Sequence, residues 1–196
     1  QNCGWITTRP INEGECVNWG NPIAEMMFEG MRYYAGQGSA TAAFTYGTGA
    51  TLGDNVLTLP KATWDDPFVT NGACAKPFIL AITDINPSYD SNQLPGVAAA
   101  FSTGFAGTLS SSDATPVALD VEDLGVAIST AEGATGNRYI GQMNTTYDNS
   151  CSPKDMTGNG FGRSRGLCPE EPTKQGSFYS ASSAYFVRTH DIIAAT

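Results

Sequence analysis

The chain is short of charge, of histidine and of long apolar runs. Only 15% of its 196 residues are charged, against about 25% in ordinary globular domains. The formal net charge is −9 and the sequence pI is about 4.4, which argues against nucleic acid and anionic lipid as partners. No stretch approaches the ~20 apolar residues of a membrane-spanning helix. An acidic surface suits divalent cations, and we expect no organic cofactor.

Several catalytic and metal-binding motifs are also missing from the sequence. There is no Cys-x-x-Cys pair for zinc, no Gly-x-Ser-x-Gly nucleophile turn and no phosphate-binding loop that ends in Lys-Ser or Lys-Thr. The one histidine, His190, stands beside Asp191. A secreted hydrolase built on His190 is therefore the enzyme hypothesis that the sequence leaves open.

Five cysteines point to an oxidising compartment and hence to export. The spacing favours the pairs Cys3–Cys16 and Cys151–Cys168, although four cysteines can pair in three ways. Cys74 is then left unpaired, or paired outside this chain. The chain begins at Gln1 without a basic and apolar leader, so either a signal peptide has been removed or the sequence is an internal piece of a longer polypeptide.

The most informative stretch is an apolar run followed by oxygen-bearing side chains. Residues 78–82 predict a buried strand that ends at Thr83 and Asp84, as binding residues do at the carboxyl edge of α/β sheets. The side chains that follow carry oxygen at every second position: Asp84, Asn86, Ser88, Asp90 and Asn92. This alternation resembles the first part of a Ca²⁺ or Mg²⁺ loop. An Asx-rich turn without a cation is the alternative.

The whole chain, residues 1–196, is long enough for one full-sized domain. Asn21 and Pro22 predict a helix start and Gly36 its end, with Ile23, Met27, Met31 and Tyr34 facing a sheet. The predicted order is an irregular loop at 1–20, a helix at 21–36, an insertion at 37–75, the core strand and Asp loop at 76–96, a mixed region at 97–146 with a helix from about residue 121, a disulfide loop at 147–176 and a closing helix at 177–196. Helix and buried strand in alternation predict an α/β fold with long inserted loops.

Five blocks of the sequence resemble the von Willebrand factor A-like region of PilY-type proteins, the tip-associated adhesins and assembly factors of type IV pili. The similar blocks occur in the same order and span nearly the whole chain. They are residues 19–36, 64–67, 74–96, 166–172 and 176–185.

The resemblance implies a Rossmann-like von Willebrand A fold with a parallel sheet and a cation site fed by three loops. Asp84 matches the Asp of the third loop, and Asn21 stands where the second loop has threonine. The first loop, Asp-x-Ser-x-Ser, does not occur before Asn21. We therefore expect that the domain's first strand lies upstream or on another chain, and that residues outside this chain complete any cation site. The family's C-terminal β-propeller is not present.

The functional expectation is a non-enzymatic module of a pilus-tip adhesin, acting in surface adhesion and in pilus assembly or retraction control. Its implied partners are minor pilins, a host or surface ligand, and the upstream and downstream parts of the same adhesin. Its implied location is the cell surface, reached through the periplasm. The alternative outside this class is a structural subunit of another extracellular filament or coat that Ca²⁺ or Mg²⁺ stabilises.

Overall fold

Four helices and two small antiparallel sheets make up the computed structural model over the residues that it describes. Those residues are 20–45, 57–60, 62–72, 76–83, 86–98, 101, 107–146 and 148–193. The helices are α1 (Ile23–Tyr34), α2 (Pro67–Asn71), α3 (Val121–Ala131) and α4 (Tyr179–Thr189), and the strands are β1 (Asn137–Ile140), β2 (Gln142–Met143), β3 (Ser152–Asp155) and β4 (Ser164–Arg165). Short 3-10 turns cover Ala42–Phe44 and Phe161–Arg163.

The helix starts follow from local capping. The Asp120 carboxylate accepts a hydrogen bond from the Asp123 N–H at 2.9 Å, so α3 begins at Val121, as the sequence predicted. Helix α1 begins at Ile23 after the N-cap residue Pro22, and no side chain caps it. The predicted N-cap, Asn21, lies just before this start and directs its side chain elsewhere. The predicted helix is confirmed to within two residues at each end.

The main core lies between α1, α3 and α4. Helix α1 buries Phe28 and Met31, while the predicted core residues Ile23, Met27 and Tyr34 are half-buried. The buried face of α1 is rotated relative to the predicted one, because α1 packs against α4 and the loops rather than against a sheet. The buried residues of this hydrophobic core are Ala24, Phe28, Met31, Leu94, Leu109, Leu119, Val121, Tyr179 and Phe186.

In the second half of the chain, α3 packs closely against the 3-10 turn at residues 161–163. A Cβ on Gly162 would lie 1.9 Å from the Glu122 carbonyl oxygen, so only glycine fits there. A smaller apolar cluster of Ile140, Met143 and Met156 packs beside this contact. None of the helices that the structure describes is long and apolar enough to cross a lipid bilayer.

The sheets differ from the predicted parallel arrangement. Strand β1 pairs antiparallel with β3, and β2 pairs antiparallel with β4; within the described ranges no parallel pair occurs. Two of these strands, β3 and β4, lie in the region predicted as loop, residues 147–176. Strands of two to four residues in a Gly- and Ser-rich sequence give too short a pattern to recognise. The fold is therefore mixed α and β, and the predicted Rossmann-like sheet is not seen.

The predicted buried strand at residues 78–82 is not formed. Residues 76–83 have no regular secondary structure, and Phe78, Leu80 and Ile82 are 80%, 82% and 88% exposed. An apolar run is buried only when another layer covers it, and no strand in the described parts of the chain pairs with this one. The sequence identified an apolar segment correctly and assigned it the wrong surroundings.

Candidate functional site

The loop at residues 86–92, called here the oxygen-rich loop, is joined to the start of α1. Asn21 and Ser88 form an isolated antiparallel bridge. The Ser88 N–H donates to the Asn21 carbonyl oxygen at 3.0 Å, and the Asn21 N–H donates to the Ser88 hydroxyl oxygen at 2.9 Å. Two predicted cation ligands are thus brought together, and they bond to each other.

The Asn21 side chain extends the same junction. Its Nδ2 atom donates to the Asn86 carbonyl oxygen at 3.1 Å, and its Oδ1 atom accepts from the Thr83 hydroxyl at 2.7 Å. The carboxamide therefore connects the end of the exposed apolar segment to the oxygen-rich loop. This is why it does not cap α1.

Glu25 holds the far end of the loop from inside the protein. Its Oε1 atom accepts from the Asn92 N–H at 3.1 Å and from the Gln93 N–H at 2.9 Å. Burial raises the pKa of Glu25 to about 7, although these two N–H groups lower it and the charge of Glu29 raises it further. Glu25 also lies in the first turn of α1, where the helix dipole favours an acidic side chain. The burial of Glu25 was not predicted; the available sequence signal for it was the position of Glu25 beside Ala24, on the side of α1 that buries Phe28.

Asp90 is the most deeply buried of the predicted ligands. Its Oδ1 atom accepts from the Ser177 N–H at 2.8 Å, and burial raises its pKa to about 7. The Ser177 hydrogen bonds and the Ala24 N–H oppose that rise, while the charge of Glu25 adds to it. The main chain at Gly176 packs closely against the oxygen-rich loop, because a Cβ on Gly176 would lie 1.9 Å from the Pro87 carbonyl oxygen.

Residues 170–174, in the region that a disulfide closes, lie against the outer side of the oxygen-rich loop. The Tyr89 N–H donates to the Lys174 carbonyl oxygen at 2.8 Å, and the Asn86 side-chain amide donates to the Glu170 carboxylate. The region itself is closed by a disulfide between Cys151 and Cys168, the pairing preferred from the sequence. Cys3, Cys16 and Cys74 lie outside the described residues.

The Ser88 hydroxyl and Asp90 Oδ1 therefore accept from different protein N–H groups, while the buried Asp90 Oδ2 has no hydrogen-bond partner among the described residues. The structure, over the residues that it describes, contains no group of three His, Cys, Asp or Glu side chains that could hold a metal ion. Asp84 lies outside the described residues. The predicted Ca²⁺ or Mg²⁺ site stays a prediction, and what the geometry shows is a loop clamped by two buried carboxyl groups.

A buried ion pair on the other side of the core was not foreseen. The Arg165 guanidinium donates to the Glu122 carboxylate at 2.6 Å and to the Tyr179 phenol oxygen at 2.5 Å. The Tyr179 hydroxyl donates to the Gly162 carbonyl oxygen at 2.9 Å. Burial raises the pKa of Tyr179 above its ordinary value. These residues lie far apart in the sequence, which carries no signal that they meet.

His190 lies at the end of α4, next to the carboxylate of Asp113 and not to that of Asp191. Its Nδ1 atom is 2.7 Å from Asp113 Oδ2. The nearby Ser112 hydroxyl donates to the carbonyl oxygens of Asp191 and Ile193, at 3.1 and 3.0 Å. The Ser112 proton thus goes to the main chain, and the pair of His190 and Asp113 is explained as a link between the end of α4 and the loop before α3.

Comparison with known proteins gives one family and one curated relative. The family described as PilY1 homolog, second domain, matches residues 1–187. A protein of Xylella fastidiosa (strain Temecula1) named Type IV pilus biogenesis factor PilY1 homolog is 37% identical over 96% of this chain. The matched stretch is 13% of that protein's length. No solved structure matches the chain.

Proposed function

The chain belongs to the family of PilY1-homolog second domains, and on that basis we propose that it is a non-enzymatic domain of a type IV pilus biogenesis factor. The single observation that carries the proposal is the family match over residues 1–187. The relative at 37% identity supports it, because its name states a role in type IV pilus biogenesis. The resemblance found in the sequence pointed to the same family.

We further propose that the domain works at the cell surface, in pilus assembly or retraction control and in surface adhesion. Its proposed partners are minor pilins, a surface ligand and the other parts of the same polypeptide. The Cys151–Cys168 disulfide supports passage through an oxidising compartment. The acidic charge of −9 favours protein partners over nucleic acid or anionic lipid.

The proposed contact surface is the outer side of the oxygen-rich loop, where Asn86 and Glu170 meet. Behind it the loop is held in place, because Glu25 accepts from the Asn92 N–H and Asp90 accepts from the Ser177 N–H. A recognition surface benefits from such support, because a loop that is already ordered loses little conformational entropy on binding. The exposed carboxylate and amide groups suit a basic or hydrogen-bonding partner.

An in-frame deletion of residues 20–193 in the complete polypeptide tests the role in biogenesis. It should be made in a retraction-competent strain and in a retraction-deficient strain. If the domain acts in assembly, both strains lose surface pili. If it acts in retraction control, only the retraction-competent strain loses them. Attachment to a surface, measured per pilus, then reports on adhesion separately.

The variant Glu170→Gln tests the proposed contact surface, because it removes one surface charge and leaves the buried Glu25 and Asp90 contacts of the loop intact. It should leave pilus number unchanged and reduce attachment if this surface binds the ligand. Normal pilus number, normal twitching and normal attachment in the deletion strains, with the shortened polypeptide at its usual level, would refute the proposed function.

A further inference from the structure

The ammonium group of Lys154, on β3, is surrounded by four oxygen atoms. Lys154 Nζ donates to the Ile140 carbonyl oxygen at 2.6 Å, to the Ser150 carbonyl oxygen at 3.0 Å and to the Ser152 hydroxyl oxygen at 2.6 Å. Asp148 Oδ1 lies 2.8 Å from the same nitrogen, and the Lys154 side chain is only 4% exposed. A lysine buried to this extent needs partners for its charge and its three protons. These four oxygens, called here the oxygen cage, supply them.

The loop that supplies most of the oxygen cage is itself held by hydrogen bonds. Asp148 Oδ1 accepts from the Ser150 N–H at 3.1 Å, and Asp148 Oδ2 accepts from the Ser152 hydroxyl at 2.9 Å. The Ser152 hydroxyl thus donates to the carboxylate and accepts from the ammonium. The hydrogen bond from Lys154 is the main cause that lowers the pKa of Asp148 to about 2. The cage is therefore ordered around a positive charge.

The sequence of this loop is that of a cation loop. Asp148, Ser150 and Ser152 have the spacing Asp-x-Ser-x-Ser, which the family resemblance assigns to the first loop of a cation site. The spacing does occur in the chain, after the residues that match the other two loops and not before them. A carboxylate, main-chain carbonyls and a hydroxyl are also oxygen ligands that suit a hard cation. In this structure the positive charge among them is the ammonium of Lys154.

We propose that the Lys154 ammonium permanently takes the place of a metal ion in the oxygen cage. A divalent cation could enter only if Lys154 left, because two positive charges in such close contact repel each other. Lys154 would then lose its hydrogen-bond partners inside the protein, which is unfavourable. Asp148 gives the cage one negative charge, which balances an ammonium group and leaves a divalent cation with excess positive charge. The loop therefore keeps its shape at any concentration of Ca²⁺ or Mg²⁺.

A calcium titration of the complete polypeptide tests the proposal directly. The melting temperatures of the wild type and of Asp148→Asn are measured with about 10 mM Ca²⁺ and with about 10 mM chelator. The two proteins should respond to Ca²⁺ by the same amount, within about 1 °C, because an ion bound elsewhere stabilises both alike. A Ca²⁺-dependent rise in the wild type that Asp148→Asn abolishes would overturn the proposal, because it would show that a metal ion displaces the ammonium.

Two matched lysine variants of the complete polypeptide provide an independent readout. Lys154→Met keeps most of the side-chain length and removes the charge, so it should lower the melting temperature by about 5 °C or more. Lys174→Met removes an ammonium that pairs with Glu171 at 2.5 Å, where both side chains are 22% exposed, and should lower the melting temperature by less than about 2 °C. Equal falls in the two variants would contradict a cage built around Lys154.

Discussion

The buried carboxyl groups behind the oxygen-rich loop should make the protein less stable as the pH rises from 4 to 8. The perturbation that tests this is Asp90→Asn, which keeps an oxygen to accept the Ser177 N–H and removes the charge. Asp90 is fully buried, and its pKa in the folded protein is about 7 against an ordinary 3.8. Ionising it inside the protein is therefore unfavourable.

Proton linkage gives the sign and the size of this pH dependence of the free energy of unfolding. Below pH 3.8 Asp90 is protonated in both states, and between 3.8 and 7 the folded state alone keeps the proton, so the free energy of unfolding falls with rising pH. A difference of about three pKa units at 1.36 kcal/mol each makes the fall about 4 kcal/mol. Asp148, whose pKa Lys154 lowers to about 2, acts in the opposite sense and only below its ordinary 3.8.

Urea unfolding of the purified protein between pH 4.5 and 8.5 measures this dependence. Because this range begins above the ordinary pKa of 3.8, the Asp90→Asn variant should show a decline of unfolding free energy smaller than that of the wild type by about 3 kcal/mol. The surface variant Asp65→Asn serves as the control and should follow the wild-type curve. Parallel curves for wild type and Asp90→Asn would refute the reasoning, because the buried carboxyl group would then carry no extra proton.

Three further perturbations test other parts of the structure. The disulfide between Cys151 and Cys168 closes a span of 17 residues, so its reduction should lower the free energy of unfolding by about 3 kcal/mol. A Cys151→Ser/Cys168→Ser variant should lose the part of this fall that the Cys151–Cys168 disulfide causes, and a wild type whose fall on reduction is no larger than the variant's would contradict the assignment. Arg165→Met leaves the Glu122 charge buried without its cation and should lower the free energy of unfolding by about 3–5 kcal/mol. Arg163→Met, which disrupts an exposed pair, should change it by less than about 1 kcal/mol, and equal effects of the two variants would argue against a buried pair. Because protein partners already engage the oxygen-rich loop, we expect chelation of divalent cations to leave the melting temperature unchanged; a fall on chelation that added Ca²⁺ or Mg²⁺ reverses would establish the cation site.

Local signals in the sequence predicted local structure well. The helix predicted from about residue 121 begins at Val121, where the Asp120 carboxylate caps it. Pro22 and Gly36 likewise marked the two ends of α1. Such signals act over three or four residues, and tertiary contacts changed one of them: the Asn21 side chain bonds to Asn86 and Thr83 instead of capping α1.

Surroundings could not be predicted in the same way. The sequence shows that residues 78–82 are apolar, but it does not show whether a neighbouring strand is present to cover them. The oxygen-rich loop was recognised by its composition, yet its partners Glu25 and Ser177 are more than 60 and 80 residues away along the chain. The pair of Arg165 and Glu122 has a separation of 43 residues and no motif. Contacts of this kind depend on the folded topology.

The proposed function requires that cells without this domain fail in type IV pilus biogenesis. The most direct measurement is the amount of pilin sheared from the surface of cells whose complete polypeptide lacks residues 20–193, compared with wild-type cells. We expect a large loss of surface pilin with unchanged pilin inside the cell, and restoration of surface pilin when the full polypeptide is supplied. Wild-type amounts of surface pilin, with the shortened polypeptide present at its normal level, would contradict it.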